Sequence, residues 1–146
     1  MPTAEQFARY IATPYKHHGR DLRGWDCYGL YRYVLWEQFG IAIGSYADEY
    51  PGRDGSDATD IAITRALRLH AGDGNWQRVA PGSEFEGCGI VFNIAGQPLH
   101  CGYVLEPGKM LHALKGRGTT IERYDSPAWT KRIEGLYKWN SLSART

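Results

Sequence analysis

Long hydrophobic runs are missing from this chain. No stretch approaches the roughly 18 consecutive apolar residues of a membrane-crossing helix, so no span is expected. An excess of one charge is missing too: 17 Lys and Arg face 16 Asp and Glu. That balance leaves no electrostatic footprint for nucleic acid or an anionic membrane surface. Cysteine is scarce. Three cysteines exclude a full disulfide framework, leave at least one thiol free and suggest synthesis in a reducing compartment. The opening segment, MPTAEQFARYIATPY, has no basic stretch followed by an apolar run, so Sec export is not expected. There is no repeat, no low-complexity tract and no linker.

The 146 residues are enough for a single domain, taken as 1–146, with one core. A hydrophobic share of 42% with 23% charged residues argues against disorder. The 18 glycines, with 5 Trp, 10 Tyr and 4 Phe, suggest a turn-rich sheet protein with many core aromatics. Residues 3–11 read as a helix capped by Thr3, with Phe7, Tyr10 and Ile11 at helical spacing. Thr13 to Gly24 reads as a polar loop. A second helix starts near Cys27 and runs to about Phe39, with Leu30, Val34, Leu35 and Phe39 as its apolar stripe and Gly40 as its stop. Residues 44–56 read as loop, and Asp57 to His70 as a third helix. The period then changes. Ile90–Ile94, Leu99–Leu105, Lys109–Leu114, Thr119–Tyr124 and Ile133–Trp139 read as short strands separated by Gly- and Pro-bearing turns. Helices first and an antiparallel meander second is an α+β layout.

Three cysteines compete for a chemical role. Cys27 follows Asp26, a good N-cap, and so falls at the first helical position, where unpaired N–H groups and the helix dipole favour an anion. A thiol there drops from about 8.5 to roughly 3.5–7.5 when a cation helps. The Asp26 carboxylate opposes this, so an imidazolium is needed nearby. The alternative use of Cys27 is as a small buried hydrophobe. Cys88, between glycines at a strand entrance, and Cys101, in mid-strand, read as core residues.

His100 and His112 flank a hairpin. Strand side chains alternate, so Leu99, Cys101, Tyr103, Leu105, Leu111 and Ala113 can share one face and both histidines the other. This holds only if the connection has odd length or a bulge, for which Glu106-Pro107-Gly108 with a left-handed Gly108 is suited. The Cys27 helix is then expected to pack across the histidine face. Two structural histidines are the alternative. His17, His18 and His70 read as solvated, with His17 or His18 available to a cleft rim. A metal site from Cys88, His100, Cys101 and His112 lacks ligand spacing and is set aside.

Gly24-Trp25-Asp26-Cys27-Tyr28-Gly29-Leu30 resembles the nucleophile motif of NlpC/P60 cysteine peptidases. Leu99-His100-Cys101-Gly102-Tyr103-Val104-Leu105, followed by Gly108-Lys109-Met110-Leu111-His112-Ala113, resembles that family's two-histidine hairpin. The likeness spans roughly residues 5–139. Ser45-Tyr46-Ala47-Asp48-Glu49-Tyr50, Ser126-Pro127-Ala128-Trp129 and Arg132-Ile133-Glu134-Gly135-Leu136-Tyr137 are similar to segments of the branch carried by tailed phages and gene transfer agents. Tyr28, Cys88-Gly89 and Cys101 depart from the usual small residue, Gly-Asp and β-branched residue.

The resemblance implies a papain-like α+β fold with helices packed on an antiparallel sheet. It implies Cys27 as nucleophile, His100 as base and His112 as orienting residue. Tyr15 would help hold the oxyanion, Asp26 would meet the free amine of a peptidoglycan stem, and Tyr28 would border the substrate. It implies an endopeptidase of the D-Glu–diaminopimelate type, without metal or organic cofactor, whose partners are peptidoglycan peptides and phage tail proteins in a virion tail or tail-like particle. A non-enzymatic tail-assembly component and a thiol acyltransferase or amidase on a related fold are the rival readings.

Overall fold

A computed structural model describes residues 1–45, 74–94 and 97–145, the side chains of 97–99 excepted. The third helix expected over 57–70, most of the loop expected over 44–56, and His70 lie outside the described residues. Helix α1 (Ala4–Ile11) starts where the sequence indicates. The Thr3 hydroxyl accepts from the Gln6 amide at 3.2 Å, and the Gln6 side chain accepts from the Thr3 amide at 2.9 Å. That reciprocal pair satisfies two donors the helix itself leaves open. Tyr10 is fully buried, whereas Ile11, expected on the apolar stripe, is exposed. Helix α2 (Cys27–Phe39) begins at Asp26, whose carboxylate accepts from the Gly29 amide at 2.8 Å. It ends at Gly40, which takes the left-handed conformation at φ 69°.

The expected loop before α2 contains a minimal hairpin, β1 (Arg20–Asp21) against β2 (Gly24–Trp25). Two-residue strands are too short to show alternation, so no periodicity announces them. The remaining strands are β3 (Trp76–Val79), β4 (Gly89–Ile94), β5 (Gln97–Glu106), β6 (Lys109–Leu114), β7 (Gly118–Arg123) and β8 (Ile133–Trp139), with a short helix α3 (Pro127–Thr130) before the last. They form one antiparallel sheet in the order β3-β8-β4-β5-β6-β7. The strand β3 was not expected: its two apolar residues stand at its ends with Gln77 and Arg78 between, so no period of two is visible. β7 begins one residue before the expected Thr119 and ends at Arg123 rather than Tyr124.

One face of this sheet carries α2. The Tyr31 ring lies 6.0 Å from that of Tyr103, and its hydroxyl donates to the Gly87 carbonyl at 2.6 Å. Gly89 leaves room for the same ring, since a Cβ there would already touch it at 3.4 Å. Leu30, Val34 and Leu35 are fully buried, each contributing about 1.5–3 kcal/mol by leaving water. A buried series then fastens the α2 entrance to the sheet. Trp25 Nε1 donates to Thr119 Oγ1 at 2.8 Å, and that hydroxyl donates to the Thr13 carbonyl at 2.8 Å. The opposite face is covered by α3, through Trp129 packed on Phe92 at 4.9 Å.

Candidate active site

The β5–β6 hairpin fixes where the histidines point. Its connection is Pro107-Gly108, with Gly108 at φ 92° and Glu106 paired to Lys109. A two-residue loop alone would set His100 and His112 on opposite faces. The register shifts between Val104 and Glu106, and beyond it Tyr103 pairs with Leu111. This bulge restores equal parity, as the sequence reading required. His100 Nε2 and His112 Nδ1 lie 2.8 Å apart. Tyr103 and Leu111 are fully buried on the other face, as expected, and Leu99 belongs to the undescribed side chains.

One expectation about this hairpin is corrected. The α2 helix does not pack across the histidine face; it lies on the Tyr103 face, and Trp129 covers the histidines. The Trp129 ring stacks on His100 at 5.7 Å and 25°, and meets His112 edge-on at 5.3 Å. Cys27 nevertheless joins the site from the first turn of α2. The groups that act on its thiol there are Cys101 and His100, both of which favour the thiolate.

This environment brings the Cys27 thiol down to about 5. The largest cause is the hydrogen bond from Cys101; burial opposes it, the hydrogen bond and charge of His100 favour it, and the Asp26 charge opposes it. Cys101 is pushed up as the donor to Cys27 and by burial, so it stays a neutral thiol. Its expected core role is therefore incomplete: Cys101 is buried, and it also solvates the sulfur of Cys27. Cys88 is fully buried and burial raises it, in keeping with a core residue. His112 is pushed down to about 4, chiefly by burial and then by the charge of His100.

Beyond His112 the series continues to a residue the sequence reading missed. Glu122 Oε1 lies 3.0 Å from His112 Nε2, and Glu122 Oε2 accepts from Trp129 Nε1 at 2.9 Å. Burial pushes this carboxyl up, but the hydrogen bonds from Trp129 and His112 outweigh it and hold it below the ordinary carboxylate range. Parity along β7, once its register with β6 is known, is the only sequence signal that points to Glu122.

Asp26 is fully buried. Besides capping α2, it pairs with Arg20 Nη1 at 2.8 Å and accepts from the His18 amide at 3.2 Å. Arg20 was also missed. It reaches the carbonyls of Gly19 at 2.8 Å and Ser45 at 3.0 Å and lies over the Tyr28 ring. Tyr28 is buried and donates to the Gly44 carbonyl at 2.7 Å. Tyr15 is half-buried, and its backbone bridges Trp25, two residues before the thiol. His17 and His18 are half-buried and stacked at 4.2 Å rather than solvated. Among the described residues no cluster of His, Cys, Asp and Glu has the form of a metal site.

The sequence profile of the NlpC/P60 family matches residues 12–137. The chain belongs to the NlpC/P60 family. Solved structures carry the same fold. The NlpC/P60 domain of peptidoglycan hydrolase SagA shares 21% identity at a TM-score of 0.55, over 88% of this chain and 89% of that one. The P60 domain of antigen MAP1204 from M. avium subspecies paratuberculosis shares 17% at 0.60, over 95% and 92%. A lipoprotein-like NLP/P60 protein from Staphylococcus aureus shares 20% at 0.60, over 90% of this chain. This chain spans only 38% of that S. aureus protein. No curated protein matches the chain in sequence. The helices packed on an antiparallel sheet are thus the NlpC/P60 form of the papain-like α+β fold. Among the described residues no helix is long and apolar enough to cross a membrane.

Proposed function

We propose that this NlpC/P60 chain is, as a single domain, a cysteine peptidase that hydrolyses the D-Glu–diaminopimelate bond of peptidoglycan stem peptides. The observation that carries the proposal is the 2.8 Å contact of His100 with His112, together with the lowering of the Cys27 thiol to which His100 contributes. His100 Nε2 is committed to His112, so the thiol faces Nδ1. The thiol proton passes to His100 Nδ1, and the thiolate attacks the peptide carbonyl carbon. A C–S bond forms while the carbonyl oxygen takes the negative charge. First-turn N–H groups of α2, which have no acceptor within the helix, receive that oxyanion together with Tyr15. His100 then gives its proton to the amine nitrogen as the C–N bond breaks. Water, deprotonated by His100, cleaves the thioester and restores the thiol. In this reading no metal or organic cofactor takes part. Tyr28 borders the free amine of the stem, and the buried Asp26, held by Arg20, acts on that amine through its charge.

The carrier is proposed to be a phage tail or tail-like particle, on the likeness of segments 45–50, 126–129 and 132–137 to that branch. Immunodetection of the protein in purified particles tests the carrier; its absence from them would remove that part of the proposal. The bond is tested by digesting purified peptidoglycan and identifying the fragments by mass spectrometry. The expected products carry new amino termini on diaminopimelate. Products opened at a sugar linkage or at the amide joining stem to sugar would contradict the assignment.

A further inference from the structure

The hydrogen bonds around His112 determine more than its position. Its Nε2 faces a carboxylate oxygen of Glu122 at 3.0 Å, and its Nδ1 faces His100 Nε2 at 2.8 Å. A carboxylate only accepts, so the proton of His112 sits on Nε2. Its Nδ1 is then a lone pair, and His100 must donate to it from Nε2. That leaves Nδ1 of a neutral His100 without a proton, open toward the Cys27 thiol. The orientation that lets His100 take the thiol proton is thus set three groups away, on β7.

We infer that Glu122 is a positioning residue that fixes the proton positions of both histidines, with Trp129 holding the Glu122 carboxylate in place. The other groups facing the carboxylate agree with this role. Trp129 Nε1 donates to Oε2 at 2.9 Å and can do nothing else, having no acceptor atom. Arg117 stands 3.9 Å from Oε1 and is mostly exposed. Met110 pairs with Glu122 across the β6–β7 ladder and brings no charge. Because burial keeps His112 neutral at ordinary pH, the choice between its two nitrogens is a real one.

Glu122→Gln tests this with little change of shape. A glutamine offers one oxygen and one NH₂ in place of two oxygens. Trp129 requires the oxygen, so the NH₂ turns to His112 Nε2, which must then become an acceptor. The His112 proton moves to Nδ1, His100 must accept at Nε2, and its own proton moves to Nδ1, facing Cys27. In that state His100 cannot take the thiol proton. Adding Trp129→Phe removes the competing donor and frees the amide to present its oxygen to His112 again.

Long-range ¹H–¹⁵N spectra of the labelled full chain read these tautomers without any substrate. Wild type is expected to show His112 protonated on Nε2, Glu122→Gln on Nδ1, and Glu122→Gln/Trp129→Phe on Nε2. The consequence for turnover rests on the peptidase reading above. On peptidoglycan, kcat of Glu122→Gln is expected to fall about 10- to 100-fold, the range seen where a partner that orients a metal-bound histidine is lost, with KM little changed. The double variant is expected to regain part of it. A wild-type His112 protonated on Nδ1, or a Glu122→Gln protein with unchanged tautomer and turnover, would overturn the inference. If Glu122→Gln does not fold, the wild-type spectrum still decides. If wild type cleaves nothing, the peptidase reading fails while the spectra still decide the role of Glu122.

Discussion

At Cys27, burial and the Asp26 carboxylate favour a neutral thiol, while Cys101 and His100 favour the thiolate. The balance falls to the thiolate, and this has a direct chemical reading. In iodoacetamide labelling at pH 6.5, Cys27 is expected to react well before Cys88 and Cys101, both of which are raised. Site-resolved mass spectrometry checks this, and equal or slower reaction at Cys27 would count against it. Cys101→Ala removes the largest favourable contribution, so the pH midpoint of Cys27 labelling is expected to move upward. An unmoved midpoint would mean that His100 alone sustains the thiolate. Cys27, His100 and His112 were legible in the sequence because their motifs carry them. Glu122, Trp129 and Arg20 were not. Each acts through a partner brought close by a bulge or by a turn of a few residues, and spacing along the chain does not encode either.

At the scale of elements, both described long helices were readable because their caps are local: Thr3 with Gln6, and Asp26 with Gly40. The site's strands were readable from alternation, and even the β5–β6 bulge followed from requiring both histidines on one face. The side of the sheet taken by α2 was not readable, since both faces of the hairpin carry residues that end up buried. Gly29 shows packing overriding local preference. In a helix interior Ala is favoured over Gly by about 1 kcal/mol. A Cβ at Gly29, however, would stand 2.0 Å from the Gly19 carbonyl oxygen, which is backbone and cannot swing aside. Gly29→Ala is therefore expected to destabilise the protein by about 1–3 kcal/mol, the usual cost of overpacking. Urea unfolding measures it, and a stabilised variant would show that the loop over α2 yields freely.

For the whole molecule, the shifted groups act together on stability. The thiol of Cys27 is lowered from its ordinary 9.0 to about 5. Its contribution is complete above about pH 9, where both states are ionised, and is lost as pH falls through 5, because the unfolded chain binds the proton first. The imidazole of His112 is lowered from 6.5 to about 4, so on acidification the unfolded chain again gains the proton first, between those values. Both effects lower stability toward acid, by on the order of 1 kcal/mol per pH unit per proton at most. The thermal midpoint is expected to fall steadily between pH 7 and 4.5, and less steeply in Cys27→Ala. A midpoint that rises on acidification would contradict these assignments.

The central claim is that one thiol and two imidazoles act as a hydrolytic unit, and turnover of purified peptidoglycan by single variants tests it most directly. New amino ends are counted over time for wild type, Cys27→Ala, His100→Ala and His112→Ala, each first shown to be folded by circular dichroism. Cys27→Ala and His100→Ala are expected to release none above background. His112→Ala is expected to retain weak activity, because an orienting group contributes less than the nucleophile or the base. Wild-type turnover by folded Cys27→Ala would contradict the claim.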